Sequence, residues 1–446
     1  MLPDPESDPT HEPALHEPGA GPIPLSLLPD GAEVAGDGRL LVAGVDVLDL
    51  VAEFGTPVFV YDEDHIRRRC RQAVEAWGSG VAYASKAFLC RAMARLACEE
   101  GMSIDVSTGG EMHVAESAGV PPDRLVLHGN NKAARELTHA VEIGVGRIVI
   151  DSFDEIGRLE QIASAARGDG RPRVLIRVTP GIEAHTHEYV MTGQDDSKFG
   201  FGLASGDAAR AAEILRRPDS PLELVGVHLH IGSQIFALES FEKAVAVIAD
   251  FFNPLGLEEL CLGGGLGVAY VEGEEAPTIP EWAARAKLAV AGARIPPEVR
   301  VTAEPGRAIV ASAALTCYTV GTIKDIPGTR TYVSVDGGMS DNPRPVLYGS
   351  GYEAFLPREV AAARPATATI VGKHCESGDV IVRDARVPAD VAVGDIIATP
   401  VTGAYGHSMA STYNKVPRPP VVFVRDGVAR LVVRRETFDD LTALDL

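Results

Sequence analysis

The stretch VAYASKAFLCRAMARLACEEGMSIDVS (81–107) holds a short run, VAYAS (81–85), then a span of helical character, then a second run, SIDVS (103–107). Outward from it the same unit recurs: RLVLH (124–128), RIVID (147–151), RVLIRV (173–178), LVGVHLHI (224–231), EELCL (258–262) and VRVTAE (299–304). Strand signals alternating with helical spans at this spacing mark parallel βα units. Eight of them between residues 80 and 305 predict an α/β fold, a (β/α)8 TIM barrel, with a doubly wound open sheet as the structural alternative.

A barrel fixes where chemistry can lie, because active sites of this fold gather at the C-terminal ends of the strands. The residues at those ends are Lys86, Ser107-Thr108-Gly109, His128-Gly129-Asn130, Asp151, Arg177, His230, Gly263-Gly264-Gly265 and Glu304. Lys86 is the first lysine in the chain and closes the first run. A lysine there can be desolvated, and its free amine can condense with an aldehyde. Gly263-Gly264-Gly265-Leu266-Gly267 is expected to let backbone N–H groups approach a phosphate, and its spacing is not the GxGxxG of a dinucleotide site. Arg307 adds a cation for that phosphate or for a substrate carboxylate, and Ser233 a further donor.

In His228-Leu229-His230 the outer two residues face the same way. A metal-binding H-x-H is one reading of the pair. Further His and Asp ligands are missing from the later strand ends, so no metal is expected. An imidazole stacked on a cofactor ring accounts better for His230, with His228 either beside it or hydrogen-bonded in the core. Glu304 beside a pyridine nitrogen would keep that nitrogen protonated and deepen an electron sink. No one of these residues specifies a cofactor. Lysine, phosphate cradle, stacking ring and carboxylate together point to pyridoxal 5'-phosphate.

The 446 residues allow two domains, and a net charge of −21 argues against nucleic acid or an anionic membrane as partner. No segment is apolar for long enough to span a bilayer. The six cysteines form no CxxC pair, which suits reduced thiols in a cytoplasm. Residues 1–22, acidic and Pro-rich, read as a disordered tail without the order of a signal peptide. From about residue 311 the chain turns to short β runs and predicts a second, all-β domain, an antiparallel barrel or sandwich. Two further runs, 39–43 and 57–61, lie outside the eight, and at least the first is expected to join that sheet. The expected division is a barrel over 52–310 and a discontinuous β domain over 23–51 and 311–446. The polar loop 183–200 has the length and composition of a lid.

From about residue 40 onward the chain resembles the diaminopimelate decarboxylases, of the alanine-racemase-like fold type among pyridoxal-phosphate enzymes. The resemblance rests on Tyr83-Ala84-Ser85-Lys86-Ala87-Phe88, His128-Gly129-Asn130-Asn131-Lys132, His230-Ile231-Gly232-Ser233-Gln234 and Glu304-Pro305-Gly306-Arg307. It extends to Asp336-Gly337-Gly338-Met339-Ser340-Asp341-Asn342 and His374-Cys375-Glu376-Ser377-Gly378-Asp379. It implies that Lys86 holds the cofactor covalently, that His230 stacks on its ring and that Glu304 meets the ring nitrogen. Ser233, Gly263, Gly264, Gly265 and the Glu304–Arg307 loop would surround the phosphate, and Tyr405 would touch the cofactor.

Arg307, Arg344, Tyr348, Glu376 and Tyr405 would bind substrate. Diaminopimelate carries an amino acid head at each end, so its pocket needs a cation for the distal carboxylate and an anion for the ammonium. Arg344 and Glu376 supply that pair. An ornithine-type decarboxylase, the nearest alternative, binds only a distal amine, and its usual Cys-Asp-Gly is replaced here by Cys375-Glu376-Ser377-Gly378. By resemblance Cys375 reaches the site from the partner subunit of a homodimer and returns a proton to Cα after CO2 leaves. The implied reaction is decarboxylation of meso-2,6-diaminopimelate to L-lysine, the last step of lysine biosynthesis. His407, beside Tyr405, carries no assignment.

Overall fold

Eight parallel strands lie side by side in chain order in the computed structural model, which describes residues 21–166, 170–181 and 197–446. They are Ala82–Ala84, Ser103–Val106, Leu125–Leu127, Arg147–Ile150, Arg173–Thr179, Glu223–His228, Glu259–Cys261 and Arg300–Thr302. The first and last meet: Ala82 N–H donates to Ala303 O at 3.0 Å and Ala84 N–H to Pro305 O at 3.3 Å. That contact rolls the sheet into a barrel and rules out the open alternative. The strands read as near-continuous apolar runs because helices cover one face and barrel side chains fill the other. In Arg173–Thr179, for example, every residue after the first is buried.

Side-chain caps start the outer helices. Asp62 accepts from His65 N–H at 2.9 Å, Thr108 from Glu111 N–H at 3.2 Å and Ser152 from Glu155 N–H at 3.3 Å. The last cap also builds the site. Glu155, one turn into the helix Phe153–Ala165, accepts from Asp151 N–H at 3.1 Å and pairs with the buried ammonium of Lys132 at 2.6 Å. Lys132 donates as well to Gly129 O at 2.7 Å and Val149 O at 2.6 Å. The loop after the third strand is thereby tied to the fourth, and Lys132 is committed to structure.

A second sheet of eight strands follows the order Val380–Val387, Ala366–Val371, Arg330–Val335, Ala314–Ile326, Val58–Asp62, Val421–Arg425, Val428–Val433, with Ile396–Pro400 also on Ala314–Ile326. The long strand serves two halves: residues 314–319 pair with 58–61 and 396–400, and residues 320–326 with 330–335. Two pairings, Arg330–Val335 with Ala366–Val371 and Val58–Asp62 with Val421–Arg425, are parallel, so the sheet is mixed and not purely antiparallel.

The expectation that the run at 39–43 joins this sheet is corrected. Leu40–Val42 pairs with Ala32–Val34 and Val45–Asp46 in a separate three-stranded sheet, and the run at 57–61 is the one that enters. Val58–Asp62 is buried at every position, as suits an interior strand, whereas the hairpin around Leu40–Val42 is half covered. The sheet therefore takes in residues assigned by sequence to the barrel range beginning at 52. The expected tail, through residue 20, and residues 183–196 of the expected lid lie outside the described residues.

Gly226 in the sixth strand packs so closely on the seventh that a Cβ there would sit 2.3 Å from Glu259 O. Gly226→Ala is expected to cost about 3 kcal/mol of stability by overpacking, read as a lower urea midpoint with unchanged slope. A midpoint equal to wild type would contradict this strand spacing.

Candidate active site

A cavity of about 330 Å³ opens at the C-terminal mouth of the barrel. Lys86, His230, Ser233, Gly264, Gly265, Glu304, Arg307 and Tyr405 line it, together with Asp105, His128, Arg177 and Phe199. Gly263, Arg344, Tyr348, Cys375 and Glu376 do not line it. Lys86 projects from the turn Ser85–Ala87, exposed between two buried neighbours. The desolvation expected of it is not supplied by the chain's own side chains. The turn is fixed from two sides: Tyr83 Oη donates to Phe88 O at 2.7 Å, and Tyr405 N–H donates to Ala87 O at 2.8 Å. Tyr405 adopts φ 61°, a left-handed conformation costly for a tyrosine, to make that contact from the second domain.

Part of the cavity wall is a buried cluster from the ends of four strands. Glu304 Oε1 meets His128 Nε2 at 2.9 Å, and Oε2 meets His228 Nε2 at 2.9 Å; Asp105 lies 3.8 Å from the His128 nitrogen. Burial alone would push the Glu304 carboxyl up, but the two imidazoles outweigh it and hold it well below the usual range. Burial would lower His128 too, yet Asp105 and Glu304 raise it. Burial pushes Asp105 up to about 6 and His228 down to about 4. His230 is held well below 6.5 by burial and by the Lys86 ammonium, and its Nδ1 accepts from Gly264 N–H at 3.2 Å. The Glu304 carboxylate thus lies between His128, whose charged form its acidic neighbours favour, and His228, whose charged form burial disfavours.

His128, His228 and Glu304 place three ligand atoms within 4.8 Å of one another, a spacing open to a metal ion. The H-x-H pairing is a different matter: His228 turns to Glu304 and His230 to Gly264. Arg177, also at the rim, lies 3.9 Å from Asp151 and 4.3 Å over the Phe199 ring.

The glycine loop is tighter than the sequence suggests. A Cβ on Gly263, Gly264 or Gly265 would fall 2.3 Å, 2.4 Å or 2.3 Å from the carbonyl oxygens of Leu229, Glu304 and Gly232. Glycine is required there by loop packing against loop, a constraint distinct from the expected approach to a phosphate, and Gly264 spends its N–H on His230.

At the cavity wall, Arg307 donates to Ser233 Oγ at 2.8 Å and, away from the cavity, to Tyr270 Oη at 2.6 Å. Arg344, on the short helix Arg344–Tyr348, donates to Tyr352 Oη at 2.6 Å and stacks 4.3 Å from the Tyr270 ring centre. Both guanidiniums are buried, and among the described residues neither has a carboxylate within ion-pair distance. Tyr348, four residues after Arg344, shares its helix face.

Cys375 and Glu376 are exposed on the loop between Ala366–Val371 and Val380–Val387. Asp379 shapes that loop, accepting from His374 N–H at 2.8 Å and Met339 N–H at 2.7 Å, while His374 Nε2 meets Ser340 Oγ at 2.8 Å. The two C-terminal motifs are thus one interlocked structure. Glu376 accepts from the Tyr413 hydroxyl.

Sequence reasoning missed Tyr270, Tyr352 and Asp105. Only Asp105 carried a signal, an acid inside a buried apolar strand; the tyrosines meet their partners across 37 and 8 residues of chain. His407 packs edge-on to Phe59 and Phe88, each at 5.8 Å.

Residues 63–311 match the family described as pyridoxal-dependent decarboxylase, pyridoxal binding domain. The chain is 48% identical to the diaminopimelate decarboxylase of Mycobacterium tuberculosis strain H37Rv over 92% of its own length and 95% of the relative's. It is 45% identical to that of Bacillus subtilis, again covering 92% and 95%. The crystal structure of the M. jannaschii diaminopimelate decarboxylase in complex with L-lysine superposes with a TM-score of 0.86 at 31% identity, covering 94% of this chain and 98% of that one. A lysine/ornithine decarboxylase from Vibrio vulnificus, 22% identical with a TM-score of 0.73, shares the fold.

His407 titrates at about 4 because burial disfavours its charge, against an ordinary value of 6.5. Between those values the unfolded chain binds a proton that the folded chain refuses, so this residue removes stability as pH falls. His407→Phe is therefore expected to gain on wild type by roughly 1 kcal/mol per pH unit as pH drops from 6.5 to 4. Urea midpoints of both proteins across that window test it, and a constant difference would show that His407 is charged in the fold.

Proposed function

The chain belongs to the pyridoxal-dependent decarboxylases, and within them to the diaminopimelate decarboxylases, and from that premise we propose that it binds pyridoxal 5'-phosphate at Lys86 and converts meso-2,6-diaminopimelate to L-lysine and CO2, closing lysine biosynthesis. The observation that carries this reading is the pair of buried guanidiniums, Arg307 and Arg344, that meet phenols in place of acids. A buried cation without an anion is costly. Two of them, Arg307 lining a cavity with an exposed lysine and Arg344 beyond it, suit ligands bringing a phosphate and carboxylates.

The residues present fit the cofactor: Arg307 Nε is buried without an acceptor, and Lys86 is free of close packing. When bound, pyridoxal phosphate supplies an aldehyde for an amine and a ring that draws electrons from the substrate's Cα. Lys86 provides the amine. Glu304, kept anionic by His128 and His228, holds a proton at the ring nitrogen. His230, neutral, offers a flat face. Ser233, Gly263, Gly264, Gly265 and Arg307 surround the phosphate, with Tyr405 on the cofactor and at the substrate.

Arg307 and Arg344, with Tyr348 beside the latter, take the substrate's distal carboxylate, and Glu376 the distal ammonium. Cys375 delivers the proton that replaces CO2. Since Cys375 and Glu376 lie outside the cavity of their own chain, their roles require a homodimer in which each subunit's loop completes the other's site. The division is a cofactor barrel with a sheet domain that contributes to dimer and substrate pocket. All six thiols are free, which supports a reducing cytoplasm. No helix among the described residues is long and apolar enough to cross a membrane. An ornithine-type substrate would leave Arg344 buried and unmatched.

Steady-state assays with diaminopimelate, ornithine, arginine and carboxynorspermidine test the substrate; preference for any but the first refutes it. Lys86→Ala and Cys375→Ala are each expected to be inactive. Refolded together in equal amounts they should recover about a quarter of wild-type activity, since half the dimers then hold one intact site. Full silence of the mixture would refute the shared site.

A further inference from the structure

The loop that carries Cys375 and Glu376 is clasped from outside by residues 411–415. Ser411 N–H donates to Ser340 O at 2.8 Å, and Asn414 Oδ1 accepts from Cys375 N–H at 3.4 Å and meets His374 Nδ1 at 3.1 Å. Asn414 takes φ 50°, a left-handed conformation that asparagine tolerates, and the turn sets Tyr413 against the loop. The Tyr413 ring lies 5.3 Å from the His374 ring, and its hydroxyl donates to the Glu376 carboxylate. Glu376 is exposed, and among the described residues no lysine or arginine pairs with it. A phenol holds a carboxylate by one hydrogen bond without cancelling its charge. Fixing a free glutamate on binding costs rotamer entropy, and a carboxylate already held in place escapes much of that cost.

We propose that Tyr413 is a positioning residue whose hydroxyl holds the Glu376 carboxylate in one rotamer, ready for the distal ammonium of a substrate in the neighbouring subunit's cavity. The proposal rests on the reading of Glu376 as the receiver of that ammonium and on the shared site. Tyr413 then acts across the dimer, on a barrel other than its own. Asn414, and not Tyr413, holds the Cys375 backbone, so the two effects separate. Loss of the hydroxyl weakens the grip on the ammonium and leaves proton delivery to Cα in place.

L-Lysine, the expected product, keeps the distal head, so its binding reports on Glu376 without turnover. Calorimetric titration of L-lysine into holoenzyme is expected to give a Kd about tenfold weaker for Tyr413→Phe, the scale of one hydrogen bond to a charged group. KM for diaminopimelate should rise about tenfold, with kcat within about twofold of wild type. In a Glu376→Gln background Tyr413→Phe should add less than about twofold, because both act through the same side chain. The refolded mixture of Lys86→Ala with Cys375→Ala holds one kind of active site, a barrel from the second chain completed by the loop of the first. Tyr413→Phe placed in the Lys86→Ala chain, which supplies the loop, should raise the mixture's KM about tenfold. Placed in the Cys375→Ala chain, which supplies the barrel, it should leave that KM unchanged.

Wild-type Kd and KM in Tyr413→Phe overturn the proposal. So does a KM that rises whichever chain of the mixture carries the substitution, the mark of a merely structural residue. A rise only with the chain that supplies the barrel overturns it as well, by placing Tyr413 at its own cavity. If Glu376→Gln binds L-lysine as wild type does, the reading of Glu376 fails first. If the parent mixture is silent, the shared site fails first, and in either case the proposal falls with it.

Discussion

A carboxylate buried at the centre of the barrel mouth needs partners, and Glu304 has two imidazoles, one on each oxygen. Removing a charge from water costs several kcal/mol unless hydrogen bonds and an opposite charge replace the solvent. His128 brings both, and Asp105 behind it favours the imidazolium. These residues stand in or just after the second, third, sixth and eighth strands, so the cluster forms only when the barrel has closed. The contact between Ala82 and Ala303 that closes the sheet and the clamp on Glu304 are two sides of one requirement.

The surrounding packing follows from that requirement. His128 stays in place because its loop is pinned by Lys132 through Gly129, and Lys132 is held by Glu155, whose position depends on the Ser152 cap. A serine that starts a helix thus fixes, three contacts away, the imidazole that keeps a carboxylate charged. The same economy appears at Lys86, whose turn is fastened by a tyrosine from the other domain in a strained backbone conformation.

The barrel was legible because its signal is local: each strand is a short apolar run, and its chemistry stands at the end of the run. Lys86, His230, Glu304 and Arg307 were found that way, and they do line one cavity. The second sheet was legible in kind but not in pairing. Nothing in LLV (40–42) or VFVYD (58–62) says which run will find a place between two distant strands, because pairing depends on what comes 250 and 360 residues later. Tyr270 and Tyr352 were illegible for the same reason. A tyrosine carries no mark of function until a guanidinium from elsewhere is laid against it.

A third buried arginine shows what those tyrosines mean. Arg364, 1% exposed, is paired with Glu353 at 3.0 Å and Glu272 at 3.2 Å, and donates to the carbonyls of Gly21 and Pro22 at 3.3 Å each. It is a structural arginine, neutralised twice over, and it joins the loop that carries Tyr270 to the segment that carries Tyr352. The fold therefore has acids at hand two residues beyond Tyr270 and one beyond Tyr352, and it spends them on Arg364. Arg307 and Arg344, also buried, receive phenols. Stability alone would favour the acids, since a paired buried cation costs less than an unpaired one. The choice of phenols keeps two positive charges in reserve, and a reserve of that kind is useful only to a protein whose ligand arrives bearing the missing anions.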